Sequence, residues 1–366
     1  MQIVIGSGII GLFIGYKLLK EGQNVTILDV NNSINSSTNA AVGMLAPLIE
    51  AKPGESQLFS LMLKSKEIWN ELTYDEEFSL EVDLKKNSSI LIAENSDDLE
   101  RIKLKRKFFA QLGFKTQLLD NHNTHKLEPN LNSHLVGSLF CEDQNSVDPI
   151  KLKNFLKKKI ATLGGTIQYL NAFDEIFFSN QKLTIQNVIL EAENIIIACG
   201  AWTSKLIKNS FDLELPTIPL KGVSFILDGG KRLFNNNIWF KNIYVSQRKS
   251  NIIAVGATEE DRGFENSVSL DEIYYLSKNI WESFIDIENL KLVGIKSGIR
   301  PGTRDGYPII GRLDQISNNV LCAFGHYRHG ILLAPITAEI IYNKIVNKKK
   351  LTEEKFFSPE RFKFSI

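Results

Sequence analysis

The chain has 366 residues, enough for two domains at the usual size of roughly 100 to 200 residues each. Its 43 lysines and arginines balance 42 aspartates and glutamates to a net charge of +1, which leaves no global field to draw nucleic acid or an acidic partner. Cys141, Cys199 and Cys322 lie far apart with no CxxC spacing, which argues against a disulfide framework or a zinc site and points to buried thiols in a reducing, cytoplasmic compartment.

In chain order, residues 1–5 form an apolar strand, Gly6, Gly8 and Gly11 punctuate the turn after it, and Leu12, Ile14, Leu18 and Leu19 carry helical periodicity to Gly22. This is the context that the dinucleotide fingerprint requires. The first glycine permits a tight turn, the second lets a pyrophosphate approach backbone N–H groups at a helix start, and the third lets helix pack on strand. Ile9 and Ile10 share that turn. Residues 25–28 form a second strand, and Asp29 follows its apolar residues as the acid expected to meet a ribose. The apolar run over residues 3–19 lacks a basic lead-in and is broken by three glycines, Tyr16 and Lys17, so a soluble protein without a transmembrane segment is expected.

Leu58 to Leu72 has helical spacing, and residues 80–135 alternate short strands, such as 89–92, with a charged helix over 97–112. Asp148 and Pro149 cap a helix running to about Leu163, and residues 166–170 form a strand. The apolar run Ile195 to Ala198 suits a parallel strand buried on both faces that returns the chain to the first sheet, with Cys199, Gly200, Ala201 and Trp202 turning away from it. Segments 223–227, 243–245 and 252–255 predict an antiparallel sheet. The second motif runs from Gly298 through Arg300 and Pro301 to Gly311. After it come a strand over 320–324 and then Gly325, His326, Tyr327, Arg328, His329, Gly330, Ile331 and Leu332, opening a helix. These glycines let backbone approach a flat ligand, and the helix start would stabilise an anion. A tight strand-to-helix turn with no ligand is the plain alternative.

With both motifs in place, the chain resembles the D-amino-acid-oxidase family of FAD-dependent amine oxidases over nearly its whole length, most closely its glycine-oxidase branch. The resemblance implies an α/β fold in which a Rossmann-like FAD-binding domain of glutathione-reductase type (1–80, 140–215 and 296–366) interleaves with an α+β substrate domain (81–139 and 216–295) built on an antiparallel sheet. It aligns Asn39, Ala40, Gly43, Met44 and Leu45 with a loop passing the flavin, Ser37 and Thr38 with the pyrophosphate, and Phe173 with the adenine. Ala198, Gly200 and Trp202 fall on its returning strand and turn. Non-covalent FAD is expected, because Gly298 stands where covalent relatives carry a cysteine.

The implied reaction takes an α-amine to an imine and then an α-keto acid while O2 becomes H2O2, with no metal. Carbon–hydrogen cleavage is a hydride transfer to flavin N5, so the site has mainly to orient its substrate. Arg300 would grip the substrate carboxylate with two parallel donors, Tyr244 would add a hydrogen bond, and Arg328 would raise the potential near the flavin or else form a salt bridge. Departures from the glycine-oxidase pattern at Asn242, Glu259 and His329 bear on substrate choice. Three other outcomes stay open at this point: a dehydrogenase passing electrons to a quinone or carrier, a tRNA-modifying relative and a NAD-dependent enzyme. Balanced charge counts against nucleic acid. The family also allows a homo-oligomer.

Overall fold

The computed structural model describes residues 1–30, 36–171, 175–186, 188–241, 243–285, 287–346 and 352–362. Phe173, expected at the adenine, and Asn242 lie outside them.

A six-stranded sheet runs in the order Ile309–Leu313, Ser317–Phe324, Asn194–Ile197, Gln2–Ile5, Val25–Val30, Thr166–Leu170. All neighbours are parallel except the first two. Gln2–Ile5 sits between Val25–Val30 and the returning strand, in register Ile3 to Ile195 and Ile195 to Val320. The side chains of Ile195, Ile196 and Ile197 are fully buried, as an unbroken apolar run with layers on both faces requires. The helix Ile9–Lys20 follows the glycine turn and packs on the helices Pro149–Thr162 and Gly330–Ile345. Asp148 caps the second of these as expected, accepting from the N–H groups of Ile150 at 2.9 Å and Lys151 at 3.1 Å, with Pro149 in the first turn.

The second sheet has eight strands in the order Lys291–Thr303, Thr217–Asp228, Ile252–Gly256, Ile243–Gln247, Asn237–Phe240, Ser89–Ala93, Gly137–Cys141, Gln117–Asp120. Its expected antiparallel character holds except at one seam, where Asn237–Phe240 lies parallel to Ser89–Ala93. Those strands are far apart in sequence, so no tight turn dictates their direction. Lys291–Thr303 pairs with Thr217–Asp228 almost end to end and runs through the 295/296 division expected between domains. Leu276 and Ile280 of the helix Leu270–Ser283 join Val223, Phe225, Ile238, Val245 and Val255 in one apolar cluster, closing that face of the sheet. Among the described residues no helix is long and apolar enough to cross a membrane.

Candidate active site

Two cavities meet between the sheets. The smaller, about 280 Å³, opens at the carboxyl ends of the parallel strands, where α/β sheets bind ligands. Gly6, Gly8, Ile9, Ile10, Asp29, Ser37, Thr38, Ala198, Gly200, Trp202, His326 and Gly330 line it. The larger, about 1150 Å³, is lined by Ala40, Gly43, Met44, Tyr244, Arg300, Arg328 and Ile331, with Gly298 and Glu259. Ile9, Ser37, Thr38, Tyr327 and Gly330 border both, so the cavities share a wall built from opposite ends of the chain.

The glycines separate by what would crowd them. A Cβ on Gly6 would collide with the Ala198 carbonyl at the end of the neighbouring strand, and one on Gly11 with the Gly6 carbonyl, so Gly6 serves the close approach of the strand ends and Gly11 the packing of helix on strand. Gly8 and Gly330 are different: the nearest atoms to a Cβ there are Thr38 Oγ1 at 3.7 Å and His326 Cβ at 3.8 Å. Nothing in the protein forbids a side chain at either position. Each starts or precedes a helix on a cavity wall, where a bare backbone leaves N–H donors open to a ligand. The Ile9 N–H already has one acceptor, Thr38 Oγ1 at 3.1 Å. The Asp29 carboxylate accepts from the Ser7 N–H at 2.8 Å, from the Ser7 hydroxyl and from the Val30 N–H at 2.7 Å, which fixes its orientation in the cavity.

His326 is deeply buried in the same wall. Its Nε2 lies 2.9 Å from Thr337 Oγ1, and its Nδ1 has no partner among the described residues. Burial, assisted by His329, pushes its pKa down to about 3, so the folded protein holds it neutral. An unfolded chain would take up a proton below the ordinary value of about 6.5, so the stability this group confers is complete above 6.5 and lost as pH falls toward 3. Urea midpoints of flavin-free protein should drop over that interval. The His326→Gln variant should show a shallower drop.

On the substrate side, Arg300 extends from the long strand across Gly222 of its partner strand, where a Cβ would collide with the guanidinium. Its Nη1 donates to the carbonyls of Thr258 at 3.0 Å and Lys221 at 3.3 Å. Nε and Nη2, the side-on edge suited to a carboxylate, have no protein partner among the described residues. Beneath this arginine lies an ion pair of wholly buried side chains, Lys221 Nζ to Glu272 Oε2 at 2.7 Å. Burial works to raise the Glu272 carboxyl, but hydrogen bonds from Lys221 and Ser269 outweigh it and hold the group below its ordinary value. Glu272 also caps Leu270–Ser283 and accepts from Thr258 Oγ1, tying that helix to the bed of Arg300.

Tyr244 faces the same cavity, its ring 5.1 Å from that of Trp239 and its hydroxyl without a protein partner among the described residues. Arg328 takes the salt-bridge alternative: its Nε is 3.2 Å from Glu50 Oε2, and His329 Nδ1 is 3.0 Å from the same oxygen. Burial works to raise the Glu50 carboxyl, but His329, Arg328 and Lys105 hold it low, so the positive charge of Arg328 is largely compensated. Glu259 accepts from the Tyr327 hydroxyl.

Six expected cofactor residues reach neither cavity. Gly11 packs on the strand turn, Leu45 is fully buried, and Gly325 is crowded by Thr303. His329 faces Glu50, and the Leu332 carbonyl accepts from Trp69 Nε1 at 2.9 Å and from Ser65. Asn39 accepts from Lys153 Nζ at 3.3 Å. Ile299 and Pro301, which line the smaller cavity, flank Arg300 inside the second motif, whereas motif reading missed Lys153 and Phe324 there and Lys105, Trp239 and Asn279 in the larger cavity. These lie on ordinary helices and strands whose pattern reports packing alone.

A parallel sheet with a glycine turn, an acid after its second strand and a second glycine turn closing on the same cavity defines a nucleotide-dependent enzyme. The family model described as FAD dependent oxidoreductase (DAO) matches residues 2–343, so the chain belongs to that family and is an FAD-dependent oxidoreductase. It is 28% identical to the glycine oxidase of Bacillus licheniformis over 358 residues, covering 96% of this chain and 94% of that one. The bifunctional protein ThiO/ThiG of Nostoc sp. is 29% identical over 354 residues, and the chain spans only 53% of its length. Among solved structures, the glycine oxidase of Geobacillus kaustophilus superposes with a TM-score of 0.90 at 27% identity, covering 99% of this chain and 98% of that one.

Proposed function

We propose that the enzyme oxidises the α-amine of a small amino acid, glycine foremost, to an imine that water converts to the α-keto acid, with O2 reduced to H2O2. The observation that carries this is the free side-on edge of Arg300 in a cavity that shares a wall with the glycine-lined nucleotide cavity. The similarity to glycine oxidases supports the choice of substrate. Gly8, Ile9, Asp29, Thr38 and Gly330 would hold the cofactor non-covalently; a larger residue at Gly298 would meet Ala40 Cβ at 2.8 Å, which disfavours a tethering cysteine there. When bound, FAD supplies the two-electron acceptor for the α-carbon hydrogen. Arg300 fixes the substrate carboxylate, and the Tyr244 hydroxyl donates a second hydrogen bond to it. The buried walls Val42, Met44 and Ile49 lower the local polarity, which favours the neutral amine that the reaction needs. By the resemblance to the glycine-oxidase branch of the family, the glycine imine would serve assembly of the thiazole half of thiamine.

An amino-acid panel with peroxide detection tests this. Glycine, sarcosine and D-alanine are the expected leaders, with oxygen consumed in step with peroxide formed. Dye reduction without oxygen uptake would replace oxidase by dehydrogenase, and a silent panel would remove amino acids as substrates.

A further inference from the structure

We infer that Lys153 is a binding residue for the diphosphate of the cofactor, a role that no motif of the sequence marks. The inference rests on the smaller cavity being the FAD site. Lys153 lies on the inward face of Pro149–Thr162 beside Leu152, Phe155 and Leu156, and is only 7% exposed. Its Nζ donates to the neutral Asn39 amide oxygen at 3.3 Å, and no carboxylate pairs with it among the described residues. The other deeply buried lysines differ: Lys221 has Glu272 at 2.7 Å and Lys66 has Asp143 at 2.6 Å. A buried cation without a counter-charge is costly. Burial accordingly lowers its pKa, with the field of Asp29 opposing this only in part.

The position of Lys153 indicates what would neutralise it. It lines the smaller cavity together with Gly8, Ile9 and Thr38, because its helix packs against both Ile9–Lys20 and the Ser37–Ala40 turn. The positive end of the first helix and the Lys153 ammonium therefore border one space. The diphosphate is the charged part of FAD, since the adenosine and isoalloxazine ends are neutral when oxidised. A diphosphate between these two positive groups would satisfy both.

The test is Lys153→Met in the full chain stripped of flavin, titrated with FAD, ADP and adenosine, with thermal midpoints measured alongside. FAD and ADP should bind about tenfold or more weakly, adenosine should bind unchanged, and the salt dependence of FAD binding should flatten, as loss of a charge-assisted contact requires. The flavin-free variant should melt above the flavin-free parent, because an uncompensated buried charge is gone; a merely structural lysine would give the opposite shift. Equal weakening of ADP and adenosine, or unchanged FAD affinity, would overturn the inference. Lys153→Gln serves if the methionine variant does not fold. Gly8→Val is the control: if it binds FAD and ADP like the parent, the cavity assignment itself falls, whereas loss there with no loss in Lys153→Met removes only the role of Lys153.

Discussion

Gly8→Val should yield a folded protein that purifies colourless. Its Cβ would stand 3.7 Å from the nearest protein atom, an ordinary contact, so the fold has room for it. The rest of the valine would extend into the smaller cavity, over the N–H groups at the start of Ile9–Lys20. Those donors, with the helix's positive end, are what a diphosphate would meet, and a branched side chain keeps it at least one carbon further away. Circular dichroism should match the parent while the visible flavin absorbance disappears. Gly6→Val and Gly11→Val should instead fail to fold, because their side chains would strike backbone carbonyls of the sheet and turn. A Gly8→Val protein carrying stoichiometric FAD would show that the turn does not hold the nucleotide.

Arg300→Ala should retain FAD and raise KM about 10- to 100-fold, the effect of losing one charge-assisted pair worth roughly 1.5 to 3 kcal/mol. Retention of flavin is expected because Arg300 borders the larger cavity and not the smaller. Arg300→Lys should recover little, since an ammonium cannot present the side-on fork that Nε and Nη2 leave free, nor bridge the Thr258 and Lys221 carbonyls in the same plane. Steady-state kinetics with the best substrate of the panel decides this. Unchanged KM in the alanine variant would take Arg300 out of the substrate site.

The nucleotide half of the molecule was legible because local signals there coincide with global ones. Gly6, Gly8 and Gly11 announce a turn, Asp148 and Pro149 a helix start, and the isoleucines at 195–197 a strand buried on both faces, and each is placed accordingly. The parallel seam between Asn237–Phe240 and Ser89–Ala93 was not legible, since pairing across such a separation leaves no local mark. Arg300 stood out for its motif, but its bed did not: Lys221, Thr258 and Glu272 come from three segments, and Lys221 within a strand and Glu272 within a helix look like solvated charges until packing brings them together. Arg328 shows the converse. Its motif is conspicuous, yet Glu50, from a segment with no distinguishing pattern, compensates the charge the motif would bring to the site. Lys153 belongs to a lysine-rich helix, and only three-dimensional placement separates it from neighbours such as Lys151 and Lys158 that reach solvent.

The placement of Gln2–Ile5 in the middle of its sheet has a consequence for biogenesis. Its flanks are Val25–Val30 and Asn194–Ile197, and the latter in turn needs Ser317–Phe324. On the ribosome the first strand therefore waits for half the polypeptide before its second neighbour emerges, and the dinucleotide pocket waits for Gly330. Nascent chains released early would expose unpaired strand edges and have no cofactor to stabilise them, so truncation should produce aggregation rather than a smaller flavoprotein.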